Sequence, residues 1–270
     1  MSDAERLQRY VETWSSTCDE TVALLRALAP GDWSRPTDLP GWEVKDVAAH
    51  LAHLEAEIAG EPQEPVEVPE LDHVRSPMSA YTEQGPIARR DHHPAAIVDE
   101  LERAVATRRR QLGEDPPTDG SAPAPRTPGG VPWDWETLLS NRVVDVWMHE
   151  QDIRRAVGRP GDLDSAGARH TVAVFARALG YVVGKKVGAP AGTVVAVEVD
   201  EVQDFAVRVG DDGRGVPCDP ATEATARIRL GVEAYTALSG GRRTHLEYDA
   251  DVTGDEALGR RVLAALAVTF

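Results

Sequence analysis

The hydrophobic period of this 270-residue chain changes once, near residue 188, and that change limits the fold to two unlike parts. Before it, apolar residues recur at helical spacing. Leu7, Val11, Trp14, Cys18, Thr21, Leu25 and Leu28 advance by alternate steps of four and three, the stripe of a bundle helix. The stretches "EVKDVAAHLAHLEAEIAG" (43–60), "PAAIVDELERAVATRRRQL" (94–112), residues 135–158 and "DSAGARHTVAVFARALGYVVGKK" (164–186) read as further helices. Beyond "GAPAG" (188–192), "TVVAVEVD", "FAVRVG" and "TARIRLG" alternate or are β-branched. "THLEYDADVTG" reads as another strand, while "VEAYTALSG" and "GDEALGRRVLAALAV" are helical. The expected architecture is a helical bundle over residues 1–187 followed by a small α+β domain over 188–270. Residues 61–93, rich in Pro and Glu, read as a long excursion with a short helix near Met78 to Gln84. "GEDPPTDGSAPAPRTPGGVP" (113–132) is too long for a plain connector and is of the kind that lines sites.

Composition removes several function classes. A formal net charge of −16, with no cluster of Lys and Arg, argues against binding a phosphate backbone. No apolar run reaches membrane-spanning length, and "MSDAERLQRY" is acidic and amphipathic rather than a secretion leader, so a cytoplasmic protein with no membrane partner is expected. Cys18 and Cys218 are far apart, which fits neither a disulfide framework nor a thiolate zinc site. Cys18 also lies within the first apolar stripe, where a small core filler is expected. A nucleophilic sulfur would therefore arrive with a small molecule. Gly-rich nucleotide loops and the GxSxG nucleophile pattern are absent.

The helix over 135–158 carries charge where a core should be. At about 100° per residue, Asp145, His149 and Asp152 share one face, flanked by Val144, Met148 and Trp147 on one side and Val146 and Ile153 on the other. Glu150, Gln151, Arg154 and Arg155 are expected to form a narrow solvent edge. A buried carboxylate and imidazole cost several kcal/mol unless paired or coordinating a metal, so the polar face needs a partner. On the second helix the apolar stripe is Val44, Val47, Leu51, Leu54 and Ile58, and His50 lies about 40° from its edge, closer than His53. His50, Asp145 and His149 thus form a candidate N/O ligand set for a divalent ion, with a further position for water or substrate. Asp152 would orient a ligand histidine or bind substrate, and Asp46 would act behind His50. The competing reading is an i, i+4 ion pair between Asp145 and His149 that only supports the helix. Trp42 is a candidate site-lining aromatic, with packing as its default role. His73, His92, His93, His170 and His245 have no evident partner, and His92 and His93 read as a helix start.

Two of these segments, "TDLPGWEVKDVAAHLAH" and "RVVDVWMHEQDIRRAVGRP", resemble the mycothiol-dependent maleylpyruvate isomerase family, whose N-terminal half is similar to the DinB-like four-helix metal bundle. "YTALSGGR" and "VTGDEALGRRVLAALAVT" are similar to the family's sterol-carrier-like C-terminal domain. The resemblance implies a divalent metal, usually zinc, on His50, Asp145 and His149, with mycothiol binding it as thiolate and attacking a small electrophile. The chain departs from the characterised isomerases in carrying Asp145 where they have Glu. Arg142 is a candidate contact for thiol or substrate, and Arg242 a candidate for holding an anionic group from the second domain. The implied function is a metal-dependent, mycothiol-using S-transferase or isomerase, with generic S-transfer favoured because fold does not fix the substrate. The alternatives are a non-catalytic, metal-stabilised carrier of a hydrophobic molecule, and a hydrolase using metal hydroxide.

Overall fold

The computed structural model describes residues 1–200 and 202–269. The chain forms two compact units, the first spanning Met1–Gly161 and the second starting at Asp162. In the first unit, α1 (Asp3–Arg26), α2 (Val44–Ala59), α4 (Pro94–Glu114) and α5 (Trp135–Val157) make the bundle, with α1 on α5 and α2 on α4. α1 opens on a capping box: Ser2 Oγ accepts from the Glu5 amide and the Glu5 carboxylate accepts from the Ser2 amide. α2 and α5 both end on glycines with positive φ, Gly60 at 89° and Gly158 at 69°, where a side chain would be strained. The expected stripe of α1 is core, since Leu7, Trp14, Cys18 and Leu25 are buried. Leu25→Ala is expected to cost roughly 2–5 kcal/mol, measured as a shift in urea unfolding; a cost below about 1 kcal/mol would mean the stripe is not packed as described.

α3 spans Pro77–Ala88, longer than the short helix expected within the excursion, with Ser76 as its cap and Pro77 at its first turn. It packs on α2, with Gly85 against the His53 side chain. A Cβ at Gly85 would fall 2.7 Å from the Cβ of His53, so only glycine permits this approach. Because α3 covers a second face of α2, nearly all of that helix is buried. α5 is likewise buried on most sides, including Glu150, Gln151 and Asp152, so the solvent edge expected there does not exist. Its charges are neutralised locally: Arg154 meets Glu150 at 2.6 Å, and Arg155 meets Asp152 at 2.5 Å.

The second unit holds a five-stranded sheet in the order β3-β2-β1-β4-β5, formed by β1 (Val194–Val199), β2 (Gln203–Val209), β3 (Gly215–Cys218), β4 (Ala226–Leu230) and β5 (Asp251–Gly254). β1 and β4 run parallel, with Val197 opposite Ile228, and the other neighbours are antiparallel. α8 (Val232–Ser239) follows β4, and α9 (Glu256–Ala264) packs on β4 and β5. β3 was not expected, because a four-residue edge strand offers too little alternation to read. β5 is shorter than the strand expected over 244–254, because residues 245–247 form a 3-10 turn.

The boundary expected at 187/188 lies instead at 161/162, because the predicted helix over 164–186 belongs to the second unit. It divides into α6 (Ala166–Ala176), α7 (Leu179–Tyr181) and a π-helical turn over 182–186. α6 packs on α8 and β2, and α7 on β2 and β3. Two glycine contacts seat the segment there: a Cβ on Gly180 would lie 2.3 Å from the Gly215 carbonyl oxygen, and one on Gly184 would lie 2.6 Å from that of Gly213. Helical period identifies such a segment but not the surface that covers it.

Candidate metal centre

α2 and α5 face one another and bring His50, Asp145 and His149 together, with a ligand atom from each within 4.8 Å of the others. His50 and His149 are buried, and the Asp145 side chain is 31% exposed, so the cluster has one open side. His149 Nε2 lies 3.5 Å from Asp145 Oδ1, and His50 Nε2 lies 3.9 Å from Oδ2. The two imidazoles stand edge to face, 4.9 Å between centroids. Asp152 Oδ2 is 3.1 Å from His149 Nδ1, which leaves Nε2 facing Asp145. Arg155 holds the other Asp152 oxygen and reaches Asp38 at 2.6 Å.

The electrostatics suit a cation. Burial pulls the His50 imidazole below its ordinary pKa, with Asp145 offsetting part of the effect, so it stays neutral. Burial alone would raise the pKa of Asp145, but Arg142 and the histidines hold its carboxyl well below the usual range. Burial works against charging His149, yet the Asp145 and Asp152 carboxylates raise its pKa above the ordinary value. His50 Nδ1 is buried without a hydrogen-bond partner, and its Nε2 is beyond hydrogen-bond distance of Asp145. An imidazole with bonding capacity left over, beside a second imidazole and an ionised carboxylate, fits a three-ligand site for a divalent cation.

Arg142 is buried, and each of its guanidinium nitrogens donates to a carboxylate: Nε and Nη2 to Glu55 Oε1 at 3.0 and 2.8 Å, and Nη1 to Asp145 Oδ2 at 2.8 Å. Glu55 completes the network. Its Oε2 accepts from Arg108 Nη1 at 2.5 Å and its Oε1 from Trp14 Nε1 at 3.0 Å, and the Arg108 guanidinium lies 4.4 Å over the Trp14 ring. Burial works against ionising Glu55, but the two arginines bring its pKa below the ordinary value. Sequence reasoning missed Glu55 and Arg108, although a signal was present: Glu55 lies about 20° from Val44 on the apolar face of α2, the same anomaly that marked α5.

Trp42 forms a wall of the site, with its ring centroid 5.1 Å from that of His50 and 6.1 Å from that of His149. Its Nε1 donates to Glu83 on α3 at 2.5 Å, and the same carboxylate oxygen lies 2.8 Å from His73 Nε2, so His73 has a partner that spacing could not reveal. His93 caps α4, accepting from the Ala95 amide, as its reading as a helix start implied. Asp46 caps α2 by accepting from the Glu43 amide. Arg242 lies in the second unit, where its Nη1 donates to the Gly240 carbonyl at 2.8 Å. Residues 121–134 of the long loop border a cleft of about 740 Å3 with Glu57 of α2.

His53 is buried as well, but apart from the cluster, with its Nδ1 3.3 Å from Arg89 Nη1. Burial, reinforced by the Arg89 charge, pushes its pKa down to about 4. The folded state therefore resists a proton that the unfolded chain accepts near pH 6.5, and this contribution to stability is lost as pH falls from about 6.5 toward 4. Between pH 7.5 and 5 the loss is expected to be about 2 kcal/mol. Urea midpoints at the two pH values check it, and His53→Gln should remove most of the difference; an unchanged slope would assign the effect elsewhere.

Comparison with known proteins adds to this geometry. Residues 14–154 match the family model described as the mycothiol maleylpyruvate isomerase N-terminal domain, and residues 169–261 match the corresponding C-terminal domain. Among solved structures, the chain is similar to a crystal structure of mycothiol-dependent maleylpyruvate isomerase, at 15% identity and a TM-score of 0.54 over 94% of this chain and 96% of that one. A His-to-Ala mutant of that enzyme is similar at 16% identity and a TM-score of 0.55, over 90% and 93% of the two chains. The curated protein sequences contain no match.

Proposed function

Because this chain belongs to the mycothiol maleylpyruvate isomerase family, we propose that it is a mycothiol-dependent enzyme with a metal centre on His50, Asp145 and His149. The observation that carries the reading is the convergence of these three side chains from two helices, with one open side. When bound, a divalent cation, zinc by the donor set, would lower the pKa of a thiol and hold it as thiolate at neutral pH. The chain's own residues prepare for this. His50 is kept neutral, Asp145 is kept ionised, Asp152 fixes the His149 tautomer, and Trp42 keeps water from one flank of the imidazoles. Cys18 is not that thiol: it is buried in the bundle, where burial and the nearby Glu55 charge raise its pKa well above the usual value.

A thiolate that adds to an electrophilic substrate and later leaves it gives isomerisation, and one that remains attached gives S-transfer. The family favours the first for this chain, and the substrate is a small electrophile in either case. Among the described residues no helix is long and apolar enough to cross a membrane. The reading places the enzyme in the cytoplasm with mycothiol.

The test is turnover of maleylpyruvate and of an electrophilic dye by the zinc-loaded protein with mycothiol, with glutathione and with no thiol. Turnover that requires both mycothiol and the cation is expected. Equal rates without thiol would overturn the proposal in favour of a hydrolase. Stoichiometric metal with no turnover, together with a co-purifying lipid, would overturn it in favour of a carrier.

A further inference from the structure

We infer that Glu55 is a positioning residue for Asp145, acting through Arg142, and that it sets how tightly the centre holds a cation. The inference rests on the metal reading above and goes beyond it in naming a group that touches none of the three ligand side chains.

Arg142 stands one turn before Asp145 on α5, close enough to form an ion pair with it. An arginine in that place can bind both carboxylate oxygens with two parallel N–H groups, the preferred geometry of such pairs. Bound that way, it would compete with a cation for the carboxylate. The structure shows another arrangement. Glu55 takes Nε and one N–H of Nη2 of Arg142, and Asp145 is met by Nη1 alone, on Oδ2. Oδ1 is left facing His149 Nε2 at 3.5 Å, on the side where the ligands converge.

Glu55 can hold Arg142 in this pose because it is itself fixed from two other helices, by Arg108 of α4 and Trp14 of α1. The network runs without a gap from Arg108 through Glu55 and Arg142 to Asp145, and Glu55 and the two arginines are buried. Fully partnered buried networks of this kind specify one geometry. A carboxylate that only neutralised buried arginines would have no need to select Nε and Nη2 of Arg142 while leaving Nη1 aimed at a ligand. Without the Glu55 charge, the sole anion left to Arg142 in this network is Asp145. The guanidinium then tightens on that carboxylate and a cation must displace it.

The experiment is a Co2+ titration of the metal-free protein against a competing chelator, with the visible absorption of the bound Co2+ recorded as a report on ligand geometry. Glu55→Gln is expected to weaken Co2+ binding by about 10–100-fold, the usual scale for groups that orient ligands, and to change the Co2+ spectrum. Glu55→Gln combined with Arg108→Met removes one charge of each sign, so it carries the test should the single variant fail to fold, and it should show the same loss. Arg108→Met alone removes one of the two groups that fix Glu55 but keeps its charge on Arg142, so it should weaken Co2+ binding by less than Glu55→Gln does. In an Arg142→Gln background, adding Glu55→Gln should have no further effect on affinity, because Glu55 acts only through Arg142. A Glu55→Gln protein that is less stable but binds Co2+ with unchanged affinity and spectrum would overturn the inference and leave Glu55 a purely structural counter-charge. So would an equal loss in the Arg142→Gln background. A wild type that takes up no Co2+ would instead defeat the metal reading itself, and this inference with it.

Discussion

His149→Ala is expected to abolish the proposed stoichiometric metal binding and, with it, thiol-dependent turnover. His149 supplies one of three converging ligand groups, and its Nδ1 contact to Asp152 fixes the ring that does so. Removing a group that merely orients a ligand typically costs 10–100-fold in affinity, so removing the ligand should cost more than about 100-fold. The fold should survive, because Asp152 keeps its Arg155 partner and is not left as a lone buried charge. The stability cost is expected to be about 1–3 kcal/mol, the scale of one buried polar partner lost. Elemental analysis after dialysis, run beside circular dichroism, checks both parts. A folded His149→Ala protein that retains one equivalent of metal would remove this residue from the centre.

Arg142→Met is expected to cost about 3–5 kcal/mol of unfolding free energy at pH 7 in metal-free protein, the range for breaking one side of a buried ion pair. The side chain lost is buried and serves two carboxylates, Glu55 and Asp145. Glu55 keeps Arg108, but Asp145 loses its cation. The pH dependence has a definite sign. Both carboxyls titrate below their ordinary values in the fold, so the stability they confer is present above the unfolded pKa and lost as pH falls through the folded one. Without Arg142 their folded pKa values rise, and the deficit relative to the wild type should be largest near pH 7 and shrink as pH approaches 4. Urea unfolding across that range measures it. A deficit below about 1 kcal/mol, or one that grows on acidification, would contradict the network as described.

Most of the candidate site was legible in the residue order because its signal is local. Asp145, His149 and Asp152 lie within two turns of one helix, where spacing alone fixes their common face. His50 followed from its angle to the apolar stripe of α2. Glu55 was legible by the same rule but did not stand out, since a single Glu in a helix is ordinary until the arginines that meet it are known. Those arginines lie 53 and 87 positions away, on α4 and α5. The excursion over 61–93 showed only the Met78–Gln84 part of α3 and concealed the contacts of Glu83 and His73, and with them the burial of His53 and the anchoring of Trp42. That segment has low periodicity, and a proline stands inside the helix itself.

The residue sequence by itself determined the helical stripes and their caps, the change to strands, and the face on which the charged residues of α5 lie. These depend on the angle between neighbours on one element, which the backbone geometry sets. The tertiary structure alone decided that the segment over 164–186 joins the sheet, that α5 has no solvent edge, and that Arg142 turns its guanidinium toward Glu55 and Asp145. Period shows that a face must be covered, whereas the identity of the cover depends on contacts between residues far apart in the chain, chosen by close packing and by the pairing of buried charge.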